Sequence, residues 1–197
     1  GYSTGHVRVY NYNGSSWNQI GTDIDGEAVG DQSGFSVSIN SDGSVVAIGS
    51  HQNDGNGNNS GHVRIYNYNG SSWSQLGNDI DGEAAADRSG NSVSISSDGN
   101  TVAIGADGNN SYTGHVRIYN YNGTSWIQLG QDIDSEDSGD YSGHSVSISA
   151  DGTILAIGAP NNNSGHVRIY SYNGTSWTQI GGDIDGEATG DNSGNSV

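Results

Sequence analysis

Apolar and polar residues alternate along one short stretch that occurs four times in the chain. In the second copy Val63 and Ile65 share one side of the stretch, while His62, Arg64 and Tyr66 share the other. Alternation with period two, carried by β-branched and aromatic residues, predicts a β-strand. The copies begin at Gly5, Gly61, Gly114 and Gly165.

The rest of each repeat predicts three further strands. An Asn-Gly pair follows the first stretch, and we expect a two-residue type I′ turn there because Asn and Gly tolerate positive φ. A return strand is predicted over Ser72 to Ile80, an alternating strand over Ser89 to Ser96, and a short one over Thr101 to Gly105. Four strands joined by turns predict an antiparallel meander, and such a sheet hides both faces only if neighbouring repeats stack.

The repeat spacing predicts the domain organisation. Starts separated by 56, 53 and 51 residues favour an all-β, β-propeller-like array of about four blades, forming a single repeat domain over residues 1–197. The chain starts and stops inside a blade, so the blade at each end is incomplete. We therefore expect a segment of a longer repeat protein. The loop before each hairpin varies in length, which places functional variation there. These loops span residues 50–60, 106–113 and 159–164.

The repeated pattern resembles a known family. Ser-Val-Ser-Ile-Ser-Ser-Asp-Gly, then Val-Ala-Ile-Gly-Ala, then Gly-His-Val-Arg-Ile-Tyr is similar to the FG-GAP blade of integrin-α-type propellers. It also resembles repeats of secreted and surface proteins from marine bacteria and algae. Family members that bind calcium carry an Asp-rich loop between their first two strands. Here only Asp42, Asp98 and Asp151 stand in that place, so that site is not carried over.

Composition and charge exclude several partners. The net charge is -17 with no Lys, which excludes a basic surface for nucleic acid and disfavours anionic membranes. No apolar run approaches the roughly 18 residues of a membrane-spanning helix, so membrane insertion is not expected. The chain has no Cys, and abundant Asp, Asn, Gly and Ser fit a protein of the cell exterior or surface.

Sixteen of the 22 acidic residues recur in one pattern, Asp-x-Asp-x-Glu-x-x-x-Asp. Oxygen ligands at alternate positions suit calcium, so the pattern predicts a calcium site in each repeat. The alternative is a solvated edge strand with the central Ile turned inward and the acids outward. The candidate metal ligands are Asp23, Asp25, Glu27 and Asp31; Asp79, Asp81, Glu83 and Asp87; Asp132, Asp134, Glu136 and Asp140; and Asp183, Asp185, Glu187 and Asp191.

Other recurring residues favour structural roles. The Arg of each hairpin is expected to pair with carboxylates of its own or the next repeat. The neighbouring His is expected to be structural, because one His per sheet lacks local co-ligands for a metal. The Trp after each Asn-Gly is expected to pack between blades, with sugar stacking as the alternative. Candidate glycosylation sites are Asn13, Asn69, Asn122 and Asn173.

No catalytic constellation is visible in the sequence. His51, Asp54, Asp107, Asp137 and His144 break the repeat but show no nucleophile or metal-ligand spacing. The prediction is therefore a non-catalytic extracellular structural or interaction module, not an enzyme, in a surface, matrix or filament setting and stabilised by calcium. The alternatives are a lectin-like propeller and the scaffold of a larger secreted enzyme. Expected partners are a second copy, another surface protein or glycans.

Overall fold

The computed structural model describes residues 4–161 and 163–197, and these are almost entirely β. Three complete blades follow a partial one, which confirms the predicted array of four-stranded antiparallel sheets. The first repeat contributes β1 His6–Val7, β2 Tyr10–Tyr12, β3 Trp17–Gln19 and β4 Ile24–Asp25. Blade 1 contains β5 Ser36–Ile39, β6 Val45–Ser50, β7 His62–Tyr68, β8 Trp73–Gln75 and β9 Ile80–Asp81. Blade 2 contains β10 Ser92–Ile95, β11 Thr101–Ala106, β12 His115–Tyr121, β13 Trp126–Gln128 and β14 Ile133–Asp134. Blade 3 contains β15 Ser145–Ile148, β16 Ile154–Ala159, β17 His166–Tyr172, β18 Trp177–Gln179 and β19 Ile184–Asp185.

The outer edge of each blade differs from the single return strand predicted. In blade 1, β8 pairs with the end of β7, with Tyr68 opposite Trp73. The chain then leaves the sheet and rejoins it as β9, where Ile80 pairs with Val63 near the start of β7. Gly77 lies in this break with φ +76°, a backbone conformation that glycine adopts without strain. The acidic pattern thus begins at the point where the chain returns to the sheet.

The hairpin turn is also different from the predicted type I′ turn. Four residues, not two, join Tyr68 to Trp73, and only Gly70 of the Asn-Gly pair has positive φ. The side-chain oxygen of Asn69 accepts hydrogen bonds from the backbone N–H groups of Ser71 and Ser72, at 3.0 Å each. Asn is therefore favoured because its side chain closes the loop, as in an Asx turn.

The core lies between the blades. Val63 and Ile65 are fully buried, and they pack in one cluster with Val93 and Ile95 of the next blade. Backbones of adjacent blades lie close together where other proteins place large apolar side chains. A Cβ on Gly105 would lie only 2.0 Å from the carbonyl oxygen of Gly143. Stacking that brings backbones this near explains how a chain with 30% apolar residues forms a core.

Each tryptophan of a complete blade ties that blade to the preceding repeat, which confirms the packing role. The indole N–H of Trp126 donates to the carbonyl oxygen of Leu76 at 2.7 Å. Trp73 and Trp177 make the same bond, at 2.9 and 2.8 Å, to Ile20 and Leu129. The rings therefore combine apolar burial with a satisfied polar group.

One short helical turn interrupts the all-β pattern. α1 Asn109–Tyr112 occupies the loop between β11 and β12, and Asn110 and Ser111 within it have left-handed φ of 47° and 60°. It lies in one of the loops of uneven length, which the repeat pattern marked as exposed. Asn162, in the shortest of these loops, lies outside the described residues. Within the described part of the chain, no helix has the length and apolar character needed to cross a membrane.

Candidate functional site

The first and last acids of each predicted calcium pattern are held by neighbouring groups of their own repeat. The first carboxylate accepts a hydrogen bond from a glutamine of the fourth strand, as Asp79 does from Gln75 at 2.5 Å. The last carboxylate binds backbone N–H groups of its own turn. Asp87, only 2% exposed, accepts from Glu83 and Ala84 at 3.1 and 2.8 Å. Asp31, Asp140 and Asp191 make the equivalent turn contacts.

The third acid of the pattern, a glutamate, faces the next repeat with its side chain, and the second acid reaches it through its backbone carbonyl. The side chain of Glu27 lies 3.4 Å from the guanidinium of Arg64, and Arg64 also donates to the carbonyl oxygen of Asp25 at 2.8 Å. Glu83 and Arg117 repeat the ion pair at 3.6 Å. Arg8, in the partial blade, pairs instead with Asp23 of its own repeat at 2.9 Å, and this hydrogen bond lowers the pKa of Asp23 to about 2. The predicted pairing of these arginines with carboxylates is confirmed.

The recurring histidine lies beside carboxylates from two repeats. The ligand atoms of Glu27, His62 and Asp79 all lie within 4.8 Å of one another, and those of Glu83, His115 and Asp132 do the same. Burial lowers the pKa of His62 and of His115, which keeps both imidazoles neutral. The sequence argument that this histidine lacks co-ligands missed the Glu, because it comes from the preceding repeat. Calcium binding by the full acidic pattern stays a prediction.

The repeats differ most at one end of the blades. We call this end the variable rim, and it comprises three positions in each repeat. One is the residue just before the first strand of the blade, and another is the residue just after the second strand. The third lies three residues before the first of these positions and has a left-handed φ. The variable rim comprises Phe35, Asn91, His144 and Asn195; His51, Asp107 and Pro160; and Gln32, Arg88, Tyr141 and Asn192. Neighbouring first strands pack side by side, and the start of each pairs with the end of the second strand. The rim positions of adjacent blades therefore meet.

A histidine and an aspartate meet there across two blades. Nδ1 of His144, before β15, lies 3.1 Å from Oδ2 of Asp107, which follows β11. Asp107 is buried, with its side chain 4% exposed, whereas the His144 side chain is 37% exposed. The hydrogen bond to Asp107 raises the pKa of His144. Sequence reasoning named both residues as breaks in the repeat but did not bring them together.

Further rim residues lie near Asp107, since charge interactions link His51 with both Asp107 and Arg88. The ring of His51 lies against that of Phe35, with centroids 3.9 Å apart and planes tilted by 43°, and burial with the nearby Arg88 lowers the pKa of His51. The buried Nδ1 of His51 and Oδ1 of Asp107 have no hydrogen-bond partner. The guanidinium of Arg88 stands 5.1 Å from the ring centre of Tyr112. Buried polar atoms without partners are uncommon and mark sites where a ligand or water completes the network.

The other candidates have local roles. Asp54 accepts a loop N–H from Asn59 at 2.7 Å, and Asp137 is an exposed residue of an acidic turn. The residues between the first two strands close their own turns, as Asp98 does by accepting from Asn100 N–H at 3.0 Å. The four candidate glycosylation residues lie in exposed hairpin loops, and glycosylation stays a prediction.

Comparison with solved structures supports the propeller fold. The chain is similar to a putative 6-phosphogluconolactonase from Bacteroides uniformis, with a TM-score of 0.63 and 14% identity over 95% of this chain and 51% of that one. A putative 6-phosphogluconolactonase from Bacteroides fragilis gives a TM-score of 0.60 and 15% identity, over 91% of this chain and 49% of that one. TolB from Acinetobacter baumannii gives 0.52 and 11%, over 89% and 37%. The chain thus spans about half or less of these structures. No family model and no curated protein matches the chain.

These comparisons correct the predicted function. A non-catalytic extracellular structural or interaction module, with its lectin-like and scaffold alternatives, is the wrong prediction, because two of the similar propellers are named as enzymes. At identities of 14% and 15% the likeness itself shows the fold alone. The sequence argument treated the repeat as uniform and gave little weight to the few residues that break it.

Proposed function

We propose that the chain is a hydrolytic propeller domain that acts on a small ester or lactone, with Asp107 orienting His144 as the general base. The observation that carries this proposal is the 3.1 Å contact between Nδ1 of His144 and Oδ2 of Asp107. A carboxylate on one ring nitrogen selects the tautomer in which that nitrogen bears the proton. The lone pair of Nε2 is then free to accept a proton from water.

The surroundings of His144 support a substrate site. The ring lines an open cleft of about 230 Å³ that has no carboxylate among its lining residues, in a chain whose net charge is -17. Its lining residues are Tyr141, His144, Pro160, Asn161, Asn192 and Asn195. Amide N–H groups of asparagine are suitable donors to the carbonyl oxygen of an ester, where negative charge develops during attack by water.

Arg88 suggests what else the substrate carries. Its guanidinium faces an aromatic ring, and within the described part of the chain it makes no ion pair with a carboxylate. We infer that it binds an anionic group of the substrate, since a guanidinium suits carboxylate and phosphate. The lactone class is suggested by the activity for which the two Bacteroides neighbours are named, and a phosphorylated sugar lactone combines a lactone with an anionic group.

The reaction balances without a cofactor. Nε2 of His144 takes one proton from water as the water oxygen bonds to the carbonyl carbon. The tetrahedral intermediate collapses, and the carbon–oxygen bond of the ester or lactone breaks. Nε2–H then returns its proton to the departing alkoxide, so one water is consumed and a carboxylic acid and an alcohol are formed.

The test is hydrolysis of a lactone series by the purified chain and its variants. The substrates are δ-gluconolactone, its 6-phosphate and p-nitrophenyl acetate, each corrected for spontaneous hydrolysis. His144→Gln is expected to lower kcat/KM by about 10²–10⁴-fold, the usual contribution of a general base. Arg88→Gln is expected to raise KM for the phosphorylated lactone alone.

Two matched variants separate a catalytic loss from a general one. His6→Gln changes an exposed histidine of another repeat, and Asp137→Asn changes an exposed carboxylate outside the rim. Both are expected to retain wild-type rates, whereas Asp107→Asn lowers kcat. A wild-type chain that hydrolyses none of the substrates, or a His144→Gln chain as active as wild type, contradicts the proposal.

We also propose that the blades belong to the FG-GAP type and that the chain works outside the cell or at its surface. The support for the first is the repeated Ser-Asp-Gly and Gly-His-Val-Arg pattern along the whole sequence. The support for the second is composition, with abundant acidic, Asn, Gly and Ser residues and no Cys. Fractionation of the native host, with an antibody to the chain, tests the location.

A further inference from the structure

A histidine and carboxylates from neighbouring repeats converge at successive blade junctions. At the first junction Glu27 of one repeat lies beside His62 and Asp79 of the next, and their ligand atoms are all within 4.8 Å of one another. Glu83, His115 and Asp132 form the same arrangement one repeat later. The arrangement recurs with the same residue types, although the loops between the blades differ in length and sequence.

The histidine in each cluster is buried without hydrogen bonds. His62 is 1% exposed and His115 is 2% exposed, and Nε2 of each ring has no partner. The other nitrogen, Nδ1, faces carboxylates: that of His62 lies 3.7 Å from Asp79 of the first cluster, and that of His115 lies 4.0 Å from Asp134, a neighbour of the second cluster. Both distances exceed that of a hydrogen bond. Because buried polar groups are almost always satisfied, the unbonded Nδ1 of these buried rings calls for a ligand on the side of the carboxylates. The unbonded Nε2 is not the atom that faces them and is not part of the proposed site.

We propose that each of these junctions binds a divalent cation through the imidazole Nδ1 and two carboxylates, one of which comes from the preceding repeat. Two ligands that bind one ion at about 2.0–2.2 Å in tetrahedral geometry lie about 3.3–3.6 Å apart. The ligand atoms therefore close on one another by up to about 1.5 Å, a side-chain rotation, to enclose an ion. Two carboxylates also exceed the charge of the one arginine beside them.

The ligand set points to a metal of the zinc or manganese class. Imidazole with carboxylates suits zinc and related divalent ions, whereas calcium takes oxygen ligands. This set differs from the calcium pattern predicted from sequence, because it uses the histidine and draws its acids from two repeats. The glutamine of the fourth strand orients one ligand carboxylate, as Gln75 does for Asp79 at 2.5 Å.

The third junction carries a weaker version of the site. Glu136, the counterpart of Glu27, lies 3.0 Å from the guanidinium of Arg168. The cluster there consists of His166, Asp183 and Asp185, all from one repeat. Arg168 also contacts Asp183 at 3.2 Å, so a cation competes with the arginine for its ligand. We expect two tight sites of similar affinity and one weaker site in each chain.

Calorimetric titration of the metal-free chain with zinc, manganese and calcium chlorides tests the proposal. The expected result is two strong zinc or manganese sites per chain, and weaker calcium binding with a different stoichiometry. The double variant His62→Gln/His115→Gln is expected to lose both strong sites. His6→Gln, which changes an exposed histidine, is the matched control and keeps both.

A spectroscopic measurement on the wild-type chain guards against a variant that fails to fold. Copper(II) bound at these sites is expected to show nitrogen hyperfine coupling from one imidazole in its electron paramagnetic resonance spectrum. Absence of binding below millimolar metal, a bound copper without nitrogen coupling, or zinc binding that survives the histidine changes with its stoichiometry unaltered each overturn the proposal. The last result would assign the ions to carboxylates alone.

Discussion

At the scale of the residue, the repeats differ by single replacements within a constant frame. The position of His144 is held by Phe35, Asn91 and Asn195 in the other repeats. The backbone N–H at each of these positions donates to the carbonyl oxygen three residues earlier. Aligning the repeats with one another would have revealed this position from sequence. Its partner Asp107 lies 37 residues earlier in another blade, and no local motif connects the two.

The pairing of His144 with Asp107 makes stability depend on pH. The pKa of His144 is raised in the folded chain, so its charged contact stabilises fully below the ordinary histidine pKa of about 6.5 and weakens as pH rises through the folded pKa. We expect the free energy of unfolding lost in His144→Gln to be about 1 kcal/mol or less, because the ring is partly exposed, and to be largest near pH 5.5.

Urea unfolding of wild type and His144→Gln between pH 5.5 and 8.5 measures this dependence. The His6→Gln chain serves as the reference, since that exposed residue leaves the dyad intact. A stability difference that grows with increasing pH would contradict the assigned contact.

Trp126 and Trp17 allow a matched test of the hydrogen bond by which an indole N–H joins one blade to the preceding repeat. Trp126 is 9% exposed and donates to the carbonyl oxygen of Leu76, while Trp17 in the partial blade is 68% exposed. Trp126→Phe is expected to cost about 1–3 kcal/mol, because it leaves a buried carbonyl without its donor. Trp17→Phe is expected to change stability by less than about 0.5 kcal/mol.

Chemical denaturation compares the two, with the signal of each variant normalised to its own folded and unfolded baselines because the replaced indole contributes to the signal. Equal losses in both variants would show that ring size, and not the hydrogen bond across the junction, stabilises the blades.

At the scale of the element, alternation predicted the strands well and their ends poorly. The run Val63 to Ile65 and its repeats lie in strands as expected. The break between β8 and β9 was not predictable, because Leu76 and Ile80 on either side continue an apolar pattern. The Asn-Gly pair was read as a two-residue turn, whereas the Asn side chain bonds with the residues after Gly and closes a longer loop.

Close packing of backbones between blades gives a prediction for glycine. A Cβ on Gly105 would lie 2.0 Å from the carbonyl oxygen of Gly143 in the next blade, whereas one on Gly182 meets nothing within 4 Å. Gly105→Ala is expected to cost about 2 kcal/mol or more through overpacking. Gly182→Ala is expected to be neutral or slightly stabilising, since its φ is not in the left-handed region.

The melting temperatures of the two alanine variants, each compared with that of wild type, test this prediction. A Gly105→Ala chain that melts with wild type would mean that the blades separate easily and that the tight approach contributes little to the fold.

At the scale of the whole molecule, stacking explains both the composition and the sites. The repeat period and the four strands predicted the fold class, because a lone sheet of this kind leaves its faces exposed. Which residues of different repeats meet depends on the offset between stacked blades, and the sequence does not encode that offset locally. The approach of Glu27 to His62, and of Asp107 to His144, therefore emerged only from the structure.

The net charge of -17 predicts a response to salt. Self-repulsion of exposed carboxylates destabilises the folded chain, and salt screens it within about 10 Å at 0.1 M. With chelator present, we expect the melting temperature to rise by a few degrees between 20 and 500 mM NaCl. Glu187→Gln, which removes one exposed charge, is expected to reduce the rise slightly. A melting temperature that falls with salt would show that the arginine–carboxylate pairs outweigh the repulsion.

The pH–rate profile of lactone hydrolysis by wild type and Asp107→Asn shows whether His144 acts as the general base with Asp107 as its orienting partner. If it does, kcat/KM of wild type rises with pH through one ionisation, at a pKa above the ordinary value for histidine, and then levels off. In Asp107→Asn the midpoint shifts to lower pH and the plateau falls by at least about tenfold. Identical profiles for the two chains, or rates that do not respond to pH beyond the spontaneous reaction, would contradict it.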